Sequence, residues 1–174
     1  MLVRPPESEV PAFFRGYVNA VPEGGLIEIM TGQLENFPAL LRQFPESRTE
    51  EGYAPGKWSL KQSVEHVNDA ERIFTYRMLR IARGDGTPLP GFEQDDYVAN
   101  SQANARSWSE VIGEFAAVRR ATLALVRSLP DEAWTRTGTA SGAHSSARMF
   151  AHVIVGHVVH HARLIESKYA PLLK

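Results

Sequence analysis

Apolar residues recur along this chain at alternating steps of four and three, and this spacing constrains the fold most. Such spacing keeps side chains on one face of an α-helix, and a mean step of 3.5 is typical of helices that pack nearly aligned in bundles. The clearest row follows Ser107 and comprises Val111, Phe115, Val118, Thr122, Leu125 and Leu129. Similar rows occur within 30–44 and 150–164, so the sequence predicts an all-α protein.

Capping residues and prolines predict the ends of four helices. A capping box, in which a serine and a Gln or Glu three residues later satisfy backbone N–H groups, opens the second and third helices at Ser59 and Ser107. Pro38 lies within the first helix and is expected to kink or break it. The stretch TGTASGAHSS is expected to be a loop, with Ser145 or Ser146 capping the last helix, and no strand is predicted. The predicted helices span 25–44, 60–82, 107–129 and 148–169.

Four amphipathic helices without an internal repeat predict one four-helix-bundle domain over residues 1–174. Residues 1–24 contain four prolines and are expected to form an extended arm, lying on the bundle or on a second subunit, or else a frayed terminus. The connection 84–106, between the second and third helices, is too long for a simple bundle turn. It allows a crossover topology, and its Asp95 either reaches a site or is solvated.

Composition narrows the possible functions. The chain has 19 Lys and Arg against 20 Asp and Glu, and lacks the basic stripe typical of nucleic-acid binding. It contains no cysteine, which excludes disulfides, cysteine-ligated zinc, iron–sulfur clusters and a cysteine nucleophile. The N-terminal residues lack the apolar core of a signal peptide, and no apolar run approaches the ~20 residues of a membrane span. We therefore expect a soluble cytoplasmic protein that binds neither nucleic acid nor membranes.

Two histidines lie on the predicted buried face of the last helix. Its inward positions are Phe150, Ile154, His157, His161 and Leu164. The four-residue spacing of His157 and His161 places both imidazoles on one face. A buried imidazole needs partners for its ring nitrogens, and a shared divalent metal would serve both. The alternative is a pair of core histidines hydrogen-bonded to neighbouring side chains.

A third histidine, His66, extends this pattern. It lies on the inward stripe of the second helix, together with Ser63, Ala70, Ile73 and Arg77. Helical bundles build metal sites from side chains on facing helices. Three neutral imidazoles suit zinc, nickel, iron or copper. Structural zinc normally has four protein ligands, so a three-histidine site is catalytic in type.

Neighbouring residues are candidates for acid–base roles. His160 either flanks the pocket as a proton donor or acceptor, or faces solvent. Asp69 and Glu65 are close in sequence to the first site histidine, and either orient the imidazoles or are solvated charges. Asp69 is also a candidate for moving a proton in catalysis. His152 and His144 are predicted to be surface residues.

Three segments resemble a known family: YAPGKWSLKQSVEHVNDAERIFTYRMLRIARGD, TPLPGFEQDDYV and GHVVHHARLIESKY. The combination of three motifs resembles the DinB-like superfamily of four-helix bundles, most closely its YfiT-like branch of proposed metal-dependent hydrolases. The motifs are W-S, a histidine seven residues after Ser59, and G-H-x-x-H-H. The resemblance covers nearly the whole chain from about Arg4. It implies that His66, His157 and His161 bind the metal, that zinc or nickel is the ion, and that the chain forms a homodimer.

Two classes of function remain open. The first is a metal-dependent enzyme acting on a small molecule, either a hydrolase using metal-activated water or a transferase using a metal-activated external thiol. The best-understood relatives use low-molecular-weight thiols, and without cysteine the thiol must come from a cosubstrate. The second is a non-catalytic metal-binding or small-molecule-binding module of a stress response. We favour the enzyme, for which an open coordination position facing a cleft would be diagnostic.

Overall fold

The computed structural model describes residues 2–174, most of which are helical. The last helix continues into a π-helical turn and a final 3₁₀ turn. No helix within the described residues is long and apolar enough to cross a membrane. In chain order the elements are α1 (Arg15–Ala20), α2 (Leu26–Leu41), α3 (Leu60–Ala82), α4 (Gln94–Asn100), α5 (Trp108–Ser128), β1 (Thr137–Ala140), β2 (Ala143–Ser146) and α6 (Ala147–Leu164).

Local sequence signals begin α3 and α5 where we predicted. The Ser59 N–H donates to Gln62 Oε1 over 2.9 Å, and the Gln62 N–H donates to Ser59 Oγ over 3.1 Å. The second capping box is also present, at the start of α5. Pro38, however, does not break α2. Its carbonyl accepts from the Arg42 N–H over 3.0 Å, and buried Phe37 keeps this turn packed on the core.

The four long helices, α2, α3, α5 and α6, form a bundle in which they do not follow chain order. Helix α3 packs against α5 and α6, and α2 packs against the same two helices. The consecutive helices α2 and α3 therefore lie diagonally across the bundle, as do α5 and α6. This is the crossover arrangement that the long connection after α3 allows, and that connection contains α4.

The N-terminal segment, residues 2–24, is not the extended arm that we predicted. Pro6 and Pro11 directly precede short helical turns. The backbone nitrogen at such a position takes no part in helical hydrogen bonds, so the N–H that proline lacks is not needed there. Proline therefore starts these turns instead of preventing them. The segment packs against α6 and buries Phe14 and Val18. Its 3₁₀ turns, Glu7–Glu9 and Ala12–Phe14, precede α1.

The stretch of small residues predicted to be a loop is an antiparallel hairpin, β1–β2. Ser141 and Gly142 form its turn with φ values of 52° and 74°, as a two-residue hairpin turn requires. Leu89, from the connection before α4, donates its N–H to the Thr139 carbonyl and accepts from the Ser141 N–H. The prediction was wrong because these strands lack the alternating large apolar residues that mark a strand in a sequence.

A polar layer separates the apolar core into two parts. Arg119 of α5 donates from Nε and Nη2 to the two carboxylate oxygens of Glu71 of α3, each over 2.8 Å. Its Nη1 donates to Gln33 of α2, whose Nε2 donates to the Val155 carbonyl of α6 over 2.9 Å. These four residues, here called the Arg119 network, link all four long helices.

Candidate metal centre

Three histidine side chains converge where α3 faces α6. Nε2 of His157 lies 3.1 Å from Nε2 of His66 and 3.1 Å from Nε2 of His161. All three side chains are buried. Two nitrogens that each bind one ion at ~2.1 Å with a tetrahedral angle lie about 3.4 Å apart. The observed spacing therefore fits three donors to one shared ion.

Burial keeps these imidazoles neutral. It lowers the pKa of His66 to about 4, and it holds the pKa values of His157 and His161 well below their ordinary range, an effect that the neighbouring imidazoles reinforce. A neutral imidazole offers the lone pair that a metal ligand needs. Nε2 of His157 carries either one proton or one lone pair, so it makes one good hydrogen bond although it faces two nitrogens. A single divalent ion would satisfy all three nitrogens.

A cavity of about 800 Å³ opens beside the three histidines. His66 and His157 form part of its wall, and aromatic side chains of the N-terminal segment and α3 form another part. The connection before α4 and the hairpin turn complete it. A smaller cavity of about 360 Å³ is lined by His161, Trp58 and Asp95. The histidine cluster thus borders two cavities, and Gln94 lines both of them.

The N-terminal segment approaches the histidines because Gly156 has no side chain. A Cβ atom at Gly156 would lie 1.9 Å from the backbone oxygen of Tyr17. The ring centroid of Tyr17 lies 5.1 Å from that of His157 and 5.4 Å from that of His160, both in edge-to-face contact. Gly156 therefore allows α1 to bring an aromatic ring to the edge of the cluster.

The other three histidines lie outside the cluster. His160 is exposed, with its ring centroid 5.2 Å from that of His161, and it lines neither cavity. His144 is exposed, as predicted. His152 was predicted wrongly, since only 4% of it is exposed. It lies one turn before Gly156, on the face that α1 covers, and its Nδ1–H donates to the Arg148 carbonyl over 2.8 Å.

The predicted carboxylates do not contact the histidines. Glu65 accepts two hydrogen bonds from Arg106 Nη1, over 3.0 and 2.9 Å. Asp69 accepts one from Arg72 over 3.5 Å. Burial raises the pKa of both carboxyl groups. Asp95 is better placed, because it lines the smaller cavity and its charge opposes the lowering of the His66 pKa by burial.

Sequence reasoning missed two residues of the larger cavity. Tyr17 lies in the segment predicted to be an extended arm and was assigned no role, although its ring contacts His157. Arg77 was placed on the inward stripe of its helix without a role, and it lines the cavity wall. An arginine at an inward helical position was the signal that could have identified it.

Comparison with known proteins agrees with this architecture. The family model of the DinB superfamily matches residues 30–165. YfiT from Bacillus subtilis, described as "a probable metal-dependent hydrolase with an unusual four-helix bundle topology", superposes with a TM-score of 0.72 at 16% identity, covering 87% of this chain and 92% of that one. The mycothiol-dependent maleylpyruvate isomerase superposes with a TM-score of 0.66 at 16% identity, covering 84% of this chain and 61% of that one.

At these identities the structural likeness shows a shared fold, and it confirms the predicted four-helix bundle. No match to this chain was found among curated proteins. The family model nevertheless spans well over half of the 174 residues. The chain therefore belongs to the DinB superfamily.

Proposed function

We propose that this protein is a metal-dependent enzyme whose ion is bound by His66, His157 and His161. The observation that carries the proposal is the convergence of three buried, neutral imidazoles at the wall of a cavity of about 800 Å³. Zinc and nickel are the ions we favour, since both accept imidazole ligands. When bound, such an ion lowers the pKa of a coordinated water or thiol and makes it nucleophilic at neutral pH.

The number of ligands favours an enzyme over a binding module. Structural zinc sites normally use four protein ligands, whereas catalytic sites use three and leave a position open. Within the part of the chain that the structure describes, no carboxylate joins the three histidines to form a closed site. Access from a cavity is what a substrate would need, so the non-catalytic binding module is the less favoured alternative.

The side chains around the cluster have positioning roles in this proposal. The edge of Tyr17 packs against His157, and the Trp58 ring lies 5.0 Å from that of His66, so both imidazoles are restrained. Phe14 and Phe74 contact each other at the larger cavity, with ring centroids 5.5 Å apart, and they form an apolar part of its wall. Restrained donors next to an apolar wall strengthen electrostatic interactions with a bound substrate.

Proton transfer is assigned to His160 as a proposal, because its ring is exposed and packs next to that of His161. It has to act through a water molecule or a small movement, since it lines neither cavity. The predicted role of Asp69 in moving the proton stays a prediction, without a contact to the histidines that supports it.

The second cavity favours a transferase with an external thiol as a second candidate, beside the hydrolase. His161 lines the cavity of about 360 Å³, and His66 and His157 line the larger one. Two cavities therefore border the cluster, which gives room for a thiol beside a second substrate. A small-molecule substrate, a homodimer and a cytoplasmic location remain predictions.

Metal analysis tests the proposal. We expect natively purified protein to contain about one divalent ion per chain and His157→Ala to lose it. His152→Asn is the matched control, because it removes a buried histidine of the same helix outside the cluster, and it should keep the ion. Unchanged metal content in His157→Ala would refute the proposed ligand set.

Once a reaction is identified, His160→Gln should retain the ion and lose rate. A fully active His160→Gln variant would refute the proton-transfer role of His160 and leave the metal site unaffected.

A further inference from the structure

Arg77 is a buried cation without an anionic partner among the residues that the structure describes. Two arginines in residues 2–174 are almost completely buried, Arg77 with 3% of its surface exposed and Arg119 with none. Arg119 pairs with Glu71. No carboxylate within the described residues forms a salt bridge with Arg77, whose guanidinium lies in the wall of the larger cavity. Burying a charge without a partner is costly, so the exception calls for an explanation.

Two hydrogen bonds orient this guanidinium and leave part of it free. Nη2 donates to the Pro90 carbonyl over 2.7 Å and to Ser141 Oγ over 3.0 Å. No described residue accepts a hydrogen bond from Nε or Nη1. Burial lowers the pKa of Arg77, an effect that Tyr97 opposes, and the Arg77 Cζ lies 5.7 Å from the centroid of the Phe92 ring, so an aromatic face is near the charge but no anion is paired with it. The connection before α4 and the hairpin turn thus hold the Arg77 guanidinium, and its remaining N–H groups can donate to a ligand.

The position of Arg77 relates it to the histidine cluster. Arg77 follows His66 by eleven positions on α3, a rise of about 16 Å along the helix axis. Eleven positions make about three helical turns, so both residues lie on the same face of α3. Both residues line the same cavity, and the aromatic rings of Phe14 and Phe74 line the space there too.

We propose that Arg77 binds the carboxylate of an elongated substrate whose opposite, reacting end lies at the three histidines. The assignment of the reacting end rests on the proposed function, whereas the binding of the carboxylate does not. A carboxylate fits better than a phosphate because one guanidinium balances one negative charge, and a second charge would be left in an aromatic cavity. Glu93 also borders the cavity, but it is exposed and its charge is screened by solvent.

A pair of probes that differ only in charge tests the carboxylate site. Calorimetric titration of the metal-free protein would compare 4-phenylbutanoate with 4-phenylbutanamide. Since hydrogen bonds to charged groups contribute about 1.5–3 kcal/mol, we expect the carboxylate to bind at least ~10-fold more tightly than the amide. Arg77→Gln keeps an N–H donor for its two protein acceptors but removes the charge, and should reduce the preference to within about twofold.

Control variants separate this local effect from net charge and from folding. Arg83→Gln removes one positive charge from the exposed end of the same helix, and should keep the preference of the wild type. Arg77→Met is a second uncharged variant, and its preference should be lost like that of Arg77→Gln. Circular dichroism establishes that each variant is folded. Equal binding of the two probes by the wild type, or a preference that survives in a folded Arg77 variant, would overturn the proposal.

A second pair of probes connects the carboxylate site to the histidines. In cobalt-loaded protein, 6-mercaptohexanoate should change the visible spectrum at lower concentration than 6-mercaptohexanol, and Arg77→Gln should abolish this difference. His157→Ala should lose the cobalt spectrum and still prefer 4-phenylbutanoate in calorimetry. Absence of cobalt binding in the wild type would refute the proposed function while the calorimetric result stands. Equal sensitivity of wild-type protein to both thiols would instead refute the connection.

Discussion

Gly156→Ala is the substitution that best tests the described contact between the N-terminal segment and α6. The new methyl group would lie 1.9 Å from the backbone oxygen of Tyr17. Backbone atoms cannot rotate away as the end of a side chain can, so α1 has to shift. Gly113 provides the matched control, because it is exposed within α5 and a Cβ atom there would have no neighbour within 4 Å.

The expected magnitude follows from three contributions. In a helix interior, replacing glycine by alanine stabilises a protein by about 0.5–1 kcal/mol, and this gain is common to both variants. Overpacking at a site that cannot relax costs ~1–3 kcal/mol. Complete detachment of α1 would expose Phe14 and Val18, each at about 1.5–3 kcal/mol, and this sets the upper bound. We expect Gly156→Ala to be less stable than Gly113→Ala by about 3 kcal/mol.

Urea denaturation of both variants, monitored by circular dichroism, measures this difference in the free energy of unfolding. In thermal denaturation, about 3 kcal/mol corresponds for a chain of this size to a difference of roughly 6–12 °C between the two melting temperatures. Trypsin cleavage after exposed Arg15 provides a second measurement, and it should be faster in Gly156→Ala than in Gly113→Ala. If Gly156→Ala is as stable as Gly113→Ala and resists trypsin equally, α1 does not contact α6 as described.

Two further predictions concern acid and metal removal. Burial lowers the pKa of His152, so below the reference value of about 6.5 the unfolded chain binds more protons than the folded chain, and stability falls as the pH falls. His152→Asn removes the titrating imidazole but keeps a donor for the Arg148 carbonyl. In the presence of a metal chelator, this variant should lose less stability than the wild type between pH 7 and pH 5. Equal losses of stability would contradict the role of His152. Chelation itself should leave the far-ultraviolet circular dichroism of the wild type unchanged at room temperature, because the two apolar parts of the core persist without an ion. Loss of the helical signal would instead indicate a structural metal site.

The parts of the fold that local interactions determine were predictable from the sequence. The capping boxes placed the starts of α3 and α5 correctly, because the serine and its partner lie within one helical turn. The hairpin and the N-terminal helix were not predictable in this way. Their residues are ordered by docking onto Leu89 and onto α6, and such contacts leave no periodic pattern in the sequence.

The spacing of apolar residues predicted the inward face of α5 only in part. The spacing of apolar residues placed Val118 on the inner face of α5, yet Val118 is half-buried and Arg119 is fully buried. The periodicity of a single helix cannot reveal that Glu71 on another helix neutralises Arg119. The same reasoning placed His157 and His161 correctly on the inner face of α6, because they share one helix at a spacing that is visible in the sequence.

The Arg119 network also determines the alignment of the helices along the bundle axis. Sliding α3 by one turn, about 5.4 Å, would separate Glu71 from Arg119 and leave a buried charge unpaired, at a cost of ~3–5 kcal/mol. Glu71 follows His66 by five residues on α3, and Val155 precedes His157 by two on α6. The alignment that satisfies the network is therefore the alignment that brings the imidazole nitrogens together. The donor atoms are preorganised by folding, so an incoming ion need not reorganise the helices to be bound.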